Sequence, residues 1–136
     1  MMREYVRSQT AVLVRRLAYQ VVRSSKEGSN PDSVHDLRVA IRRLRRCLQV
    51  FRQFFPGGPR KKIRRRLSEL MQAAGGVRDL DIAIELVSTA GLEKGPDLTV
   101  RLTEDRARQN QELMQEIRRL KMQGFSKKWR NQLDLP

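Results

Sequence analysis

The chain is poor in the residues that staple a protein, hold a transition metal or stack on bases. It has one cysteine, Cys47, and one histidine, His35, so no internal disulfide can form and no Cys/His zinc set can be assembled. Only a carboxylate site for magnesium stays open. Four Phe, two Tyr and one Trp undersupply a platform for single-stranded nucleic acid, which stacks successive bases on aromatic rings. Beyond Ala11-Val12-Leu13-Val14 the N-terminal stretch has no apolar run, which argues against a secretory core or a membrane span and sets the expectation of a cytoplasmic protein. Acid is scarce as well: 15 Asp and Glu stand against 29 Lys and Arg, a net charge of +14. Such a chain seeks polyanions, whether nucleic acid, polyphosphate or an anionic membrane surface.

The positive charge has direction in one stretch, Val34 to Phe55. At 100° per residue Leu37, Ala40, Ile41, Leu44, Leu48, Phe51 and Phe55 share one arc, the stripe that a helix buries. His35, Arg38, Arg42, Arg45, Arg46 and Arg52 share a second arc, whereas Asp36 and Arg43 fall outside it. A row of guanidiniums on a packed helix presents rigid forks to phosphate oxygens. Asp32 or Ser33 is the expected helix cap, which puts His35 in a first turn that already favours an anion. A lone histidine that caps or packs locally is the plainer alternative. Cys47 lies between the two arcs and reads as a small packing residue.

The remaining elements follow from periodicity and punctuation. Val6, Leu13, Leu17 and Val21 predict a first helix within Met1–Arg23, with Tyr5 and Tyr19 extending its stripe and Ser24–Pro31 breaking it. Phe55-Pro56-Gly57-Gly58-Pro59 ends the second helix, so an antiparallel neighbour follows. That neighbour opens with Arg60-Lys61-Lys62-Ile63-Arg64-Arg65-Arg66, six cations in seven residues, while Ile63, Leu67, Leu70, Met71 and Ala74 still trace one face. Arg64 is best placed to face the row, with Lys61 and Arg65 next; Lys62 and Arg66 read as solvated. A nuclear-localisation-like run is the competing reading of this segment alone. Gly75-Gly76 predicts a break or kink before an apolar, central helix over Val77–Ala90. Gly91–Pro96 is the next loop, and a long polar helix runs from Asp97 to Gln123, anchored by Leu98, Leu102, Leu113, Ile117 and Leu120. After Gly124, Phe125, Trp129 and Leu133 recur every four residues, the aromatic face of a short last helix.

Two blocks together carry a resemblance. His-Asp-Leu-Arg-Val at 35–39, continued by Arg42-Arg43-Leu44-Arg45 and an apolar-aromatic run to Phe55, resembles the signature helix of the CHAD family, the conserved-histidine α-helical domain. Gly75-Gly76-Val77-Arg78-Asp79-Leu80-Asp81-Ile82 resembles that family's Gly-x-x-Arg-Asp-x-Asp segment, downstream and in the right order. The resemblance implies an all-helical domain that binds inorganic polyphosphate or similar polyanions in a basic channel, without a cofactor or an established catalytic cycle. With the charged row, it implies His35, Arg38, Arg42, Arg45 and Arg46 as phosphate ligands, and Arg78 from the second block; Lys61, Arg64 and Arg65 join them by their position on the next helix. Asp79 and Asp81 would orient an arginine of the signature helix; capping the start of their own helix is the ordinary alternative.

The resemblance covers roughly residues 5–120 and only the N-terminal half of the family's domain, because no second histidine-bearing basic helix follows Pro96. A complete channel would then need a second subunit, as in a homodimer, or the chain is a minimal or truncated member of the family. The expectation is an all-α, antiparallel bundle of four to five helices, one half-length domain over residues 1–136, with 1–4 and 134–136 as candidates for disorder. Its expected role is binding, not catalysis, since no nucleophile-base pair or glycine-rich phosphate loop is visible. Sequence-nonspecific binding of nucleic acid through the same arginines is the alternative.

Overall fold

Stripes of Leu, Ile and Val at helical spacing need a partner surface, and four long helices supply it to one another. The computed structural model describes residues 1–28, 30–91 and 96–136, and every regular element among them is helical. These are α1 (Met2–Glu27), α2 (Pro31–Val50), α3 (Gly57–Thr89), α4 (Pro96–Met122) and α5 (Phe125–Gln132), with a 3-10 turn at Arg52–Phe54. Thr10 of α1 touches Cys47 of α2, and Arg23 touches Asp36, so α1 and α2 are antiparallel. Arg66 with Glu116 and Asp81 with Arg106 fix the same relation for α3 and α4.

The core is the predicted one at most positions. Leu17 and Val21 of α1, Leu37, Ile41, Leu44 and Leu48 of α2, and Ile63, Leu67 and Leu70 of α3 are fully or almost fully enclosed. Leu113, Ile117 and Leu120 close it from α4, and Phe125, Trp129 and Leu133 cover one end. Each such leucine or isoleucine contributes about 1.5–3 kcal/mol by leaving water.

Several local expectations are corrected. The first helix continues to Glu27 and stops at Gly28, whose φ of 75° suits a residue without Cβ. Tyr5 and Tyr19 are exposed instead of extending the stripe. The cap of α2 is Asn30, not Asp32 or Ser33: its side chain accepts from the Ser33 backbone N–H at 2.9 Å, with Pro31 in the first turn. The Ser33 hydroxyl is turned back to donate to the Asn30 and Gly28 carbonyls. Helix α2 ends at Val50, so Arg52 belongs to the following turn and leaves the row. Phe55 still reaches the core from beyond that turn.

The largest correction is at Gly75-Gly76, where no break occurs and α3 runs 33 residues through both glycines. A Cβ on Gly76 would collide with Oε1 of Gln109, so this glycine marks a close approach of α4. Beyond Val77 the helix is not central: Ile82 and Leu86 are exposed, as are Leu98 and Val100 of α4. The predicted Gly91–Pro96 loop falls largely on residues 92–95, outside the described residues. At the two chain ends, Met2 begins α1, and Asp134 accepts from Arg7 Nη1 at 2.9 Å.

Candidate polyanion-binding site

Helix α2 buries one stripe and leaves two flanks, one toward α3 and one toward α1. On the α3 flank Arg42, Arg45, Arg46 and Gln49 meet Arg64 around a hollow of about 340 Å³. Position 45 is half-buried beside the Leu44 and Leu48 stripe, and half-buried Arg64 follows directly on the core residue Ile63. One turn earlier on α2, Arg38 is half-buried too. The Nε atoms of Arg38 and Arg64 are enclosed and have no hydrogen-bond partner. Among the described residues, none of Arg38, Arg42, Arg45, Arg46 and Arg64 forms an ion pair with a carboxylate. The ion pairs lie elsewhere, at Arg7, Arg23, Arg66, Arg106, Arg108 and Arg119.

Bringing that many guanidiniums together without a counter-ion costs folding energy through mutual repulsion, and a bound polyanion relieves it. An oxyanion entering the hollow meets donors from two helices at once and no competing acid.

The α1 flank is a wider groove of about 730 Å³. Its floor is apolar, from Val12 and Leu13 of α1 and Val39 and Ala40 of α2. Arg15, Arg16 and Tyr19 edge it on one side, His35 and Arg43 on the other. Asp36 lies in it as well, held by Arg23 Nη1 at 2.5 Å. The Arg23 hydrogen bond, with a lesser one from His35, keeps the Asp36 carboxyl below the usual carboxylate range, while Asp36 and then Glu27 push the Arg23 guanidinium up. Beneath the same flank Cys47 contacts Thr10 at 3.3 Å, and burial raises its thiol against that opposing contact.

The predicted set is therefore divided. Arg42, Arg45, Arg46 and Arg64 come together, with Arg38 next in the row. His35 keeps its place along α2, but its Nδ1 leans to Asp36 Oδ1 at 3.4 Å and its ring borders the α1 groove. Lys61 is exposed and does not line the hollow. Arg65 faces a different patch, shared with Lys62, Arg66, Lys128 and Trp129 between α3 and α5. Arg78, fourteen residues beyond Arg64, lies about 21 Å further along the same helix. Asp81 pairs with Arg106 of α4 at 2.5 Å, not with an arginine of α2, and Asp79 lies in a separate groove with Gln109 and Glu112. Arg66, expected to be solvated, instead pairs with Glu69 and Glu116.

Sequence reasoning missed Gln49, the α1 residues Arg15, Arg16 and Tyr19, and Arg60. Arg60 is 8% exposed, and its place three residues before Ile63 on the apolar face was the available signal. For α1 no signal existed, since which polar residues edge a groove depends on the neighbour's position.

Among the described residues no three His, Cys, Asp or Glu side chains gather to hold a metal ion, and no helix is long and apolar enough to cross a membrane. No curated protein and no solved structure matches the chain. A family model described as the CHAD domain matches residues 8–136, which takes in α5 and extends past the roughly 5–120 expected from the motifs. Bundle, row and glycine-arginine-aspartate segment thus converge, and the chain belongs to the CHAD domain family.

Proposed function

We propose that the protein binds inorganic polyphosphate, or a polyanion of similar thinness and charge density, in the α2–α3 hollow. One observation carries this: four arginines surround a small space with no carboxylate counter-ion among the described residues. Arg42, Arg45 and Arg46 supply forks from α2 and Arg64 from α3, and Arg38 is next along the row. The family resemblance supports it independently. Binding without turnover is the expected mode, since arginines and one glutamine offer neither a base nor a nucleophile to bound phosphate.

A duplex is far wider than this hollow and can lay only one backbone strand across its rim. Competition between polyphosphate and a short DNA duplex of matched charge tests the proposal. Polyphosphate displaces the duplex at moderate salt, and both affinities fall as salt rises. Equal or stronger duplex binding at physiological salt instead assigns the arginines to nucleic acid. Light scattering with and without polyphosphate tests whether a homodimer completes the site; a monomer under both conditions removes that part.

A further inference from the structure

We infer that the α1–α2 groove is a second site, for a nucleoside phosphate whose base lies on the Leu13–Val39–Ala40 floor beside Tyr19 while its phosphates meet Arg15, Arg16 and Arg43. The inference is independent of what occupies the α2–α3 hollow, because it rests on different side chains and a different chemistry.

Three observations carry it. The groove, at about 730 Å³, has the size of a small-molecule site and combines an apolar floor with a few charged groups, the usual composition of such sites. A bare phosphate chain has no use for that floor, since covering apolar surface with a hydrated anion gains nothing. Tyr19 is 66% exposed at the edge of the groove, so its ring is free to stack on a planar base. The one carboxylate in the groove does not repel the phosphates as a free acid would, because Arg23 holds it at 2.5 Å and neutralises it locally. The ligand must therefore carry both a flat apolar ring and several negative charges. Nucleoside triphosphates have both; inorganic tripolyphosphate has only the second.

Calorimetry with ATP and with tripolyphosphate as probes, at equal ionic strength and without metal, separates the two sites. It is run on the wild type, on Arg45→Ala/Arg64→Ala, in which the hollow no longer competes for bare phosphate, and on that double variant with Tyr19→Ala added. The exposed Tyr19 can be removed without cost to the core, so Tyr19→Ala stays folded. In the double variant ATP binds at least about fivefold tighter than tripolyphosphate, the low end of what one stacked base contributes. That preference falls to near parity when Tyr19→Ala is added. Equal affinities for the two probes in the double variant, or a ratio unchanged by Tyr19→Ala, overturn the second site. Loss of tripolyphosphate binding alone in the double variant leaves it standing, so failure here is distinct from failure of the polyphosphate proposal.

Discussion

The two flanks of α2 differ although one helix builds half of each. Toward α3 the hollow holds four arginines and, among the described residues, no carboxylate; toward α1 the groove has an apolar floor, a tyrosine edge and an aspartate already paired with Arg23. Consecutive residues, Arg42 and Arg43, serve opposite flanks, because adjacent positions on a helix are about 100° apart. Charge is therefore not a property of the surface as a whole but of where each helix places its forks. A net charge of +14 acts on any polyanion from a distance, whereas close contact depends on where guanidiniums stand clear of carboxylates.

The largest effect that tests this contrast is the double variant Arg45→Ala/Arg64→Ala, which removes one fork from each wall of the hollow. With charge-assisted contacts worth on the order of 1.5–3 kcal/mol each, polyphosphate affinity falls by about 100-fold or more at physiological salt. Titration with the double variant Lys62→Ala/Lys127→Ala, which also removes two charges but lies outside both flanks of α2, checks it. If the two doubles weaken binding equally, the hollow is only part of a basic surface.

Next in size is the single comparison within α2. Arg42→Ala weakens polyphosphate binding about tenfold, whereas Arg43→Ala changes it less than about threefold, the range for a screened charge away from the contact. Direct binding isotherms of the two variants decide it, and the order reverses if the chain runs along the α1 flank.

His35 gives a smaller, pH-dependent effect, because its ring borders the α1 groove and only its charge reaches the row. Protonation of the imidazole adds positive charge near the row, so polyphosphate affinity rises toward acid pH. His35→Ala flattens that profile and leaves thermal stability nearly unchanged; a profile that survives the substitution places the phosphate chain elsewhere.

The α1 flank has a stability signature of its own. Arg23 holds the Asp36 carboxyl lower in the fold than in the unfolded chain. Its contribution is thus fully present above the ordinary carboxylate value near 4 and is lost as pH falls through the lowered folded value. The melting-temperature gap between wild type and Asp36→Asn is widest at neutral pH and closes below about pH 4, modestly, since both partners are solvated. A gap that widens in acid contradicts the pairing.

The smallest effect lies on α3, away from both flanks. A Cβ on Gly75 meets open space, so Gly75→Ala stabilises the helix by up to about 1 kcal/mol. Gly76→Ala gains less, because Gln109 must swing aside. Denaturant titration resolves the pair, and equal gains mean that Gln109 moves freely.

The fold was largely legible because its signals are local: leucine and isoleucine at three- and four-residue spacing, and stops at Gly28, Pro56 and Gly124. Gly75-Gly76 misled because two glycines in sequence look like punctuation, and only the packing of Gln109 across the helix pair shows a use for the missing Cβ at Gly76. The apolar run over Val77–Ala90 misled for a related reason. Composition reports that surface is available for burial, not that a partner covers it, and Ile82 and Leu86 stand exposed.

Sequence alone determined the all-helical class, the core stripe of α2 and the concentration of guanidiniums along that helix, since each depends on the fixed angle between successive residues. Tertiary structure decided which cations share a space. Arg64 joins Arg42, Arg45 and Arg46 while Arg65, its neighbour, faces Trp129; Asp81 goes to Arg106 and Asp36 to Arg23. These pairings depend on how far one helix slides and rotates against the next, set by the sum of many core contacts with no single residue to announce it.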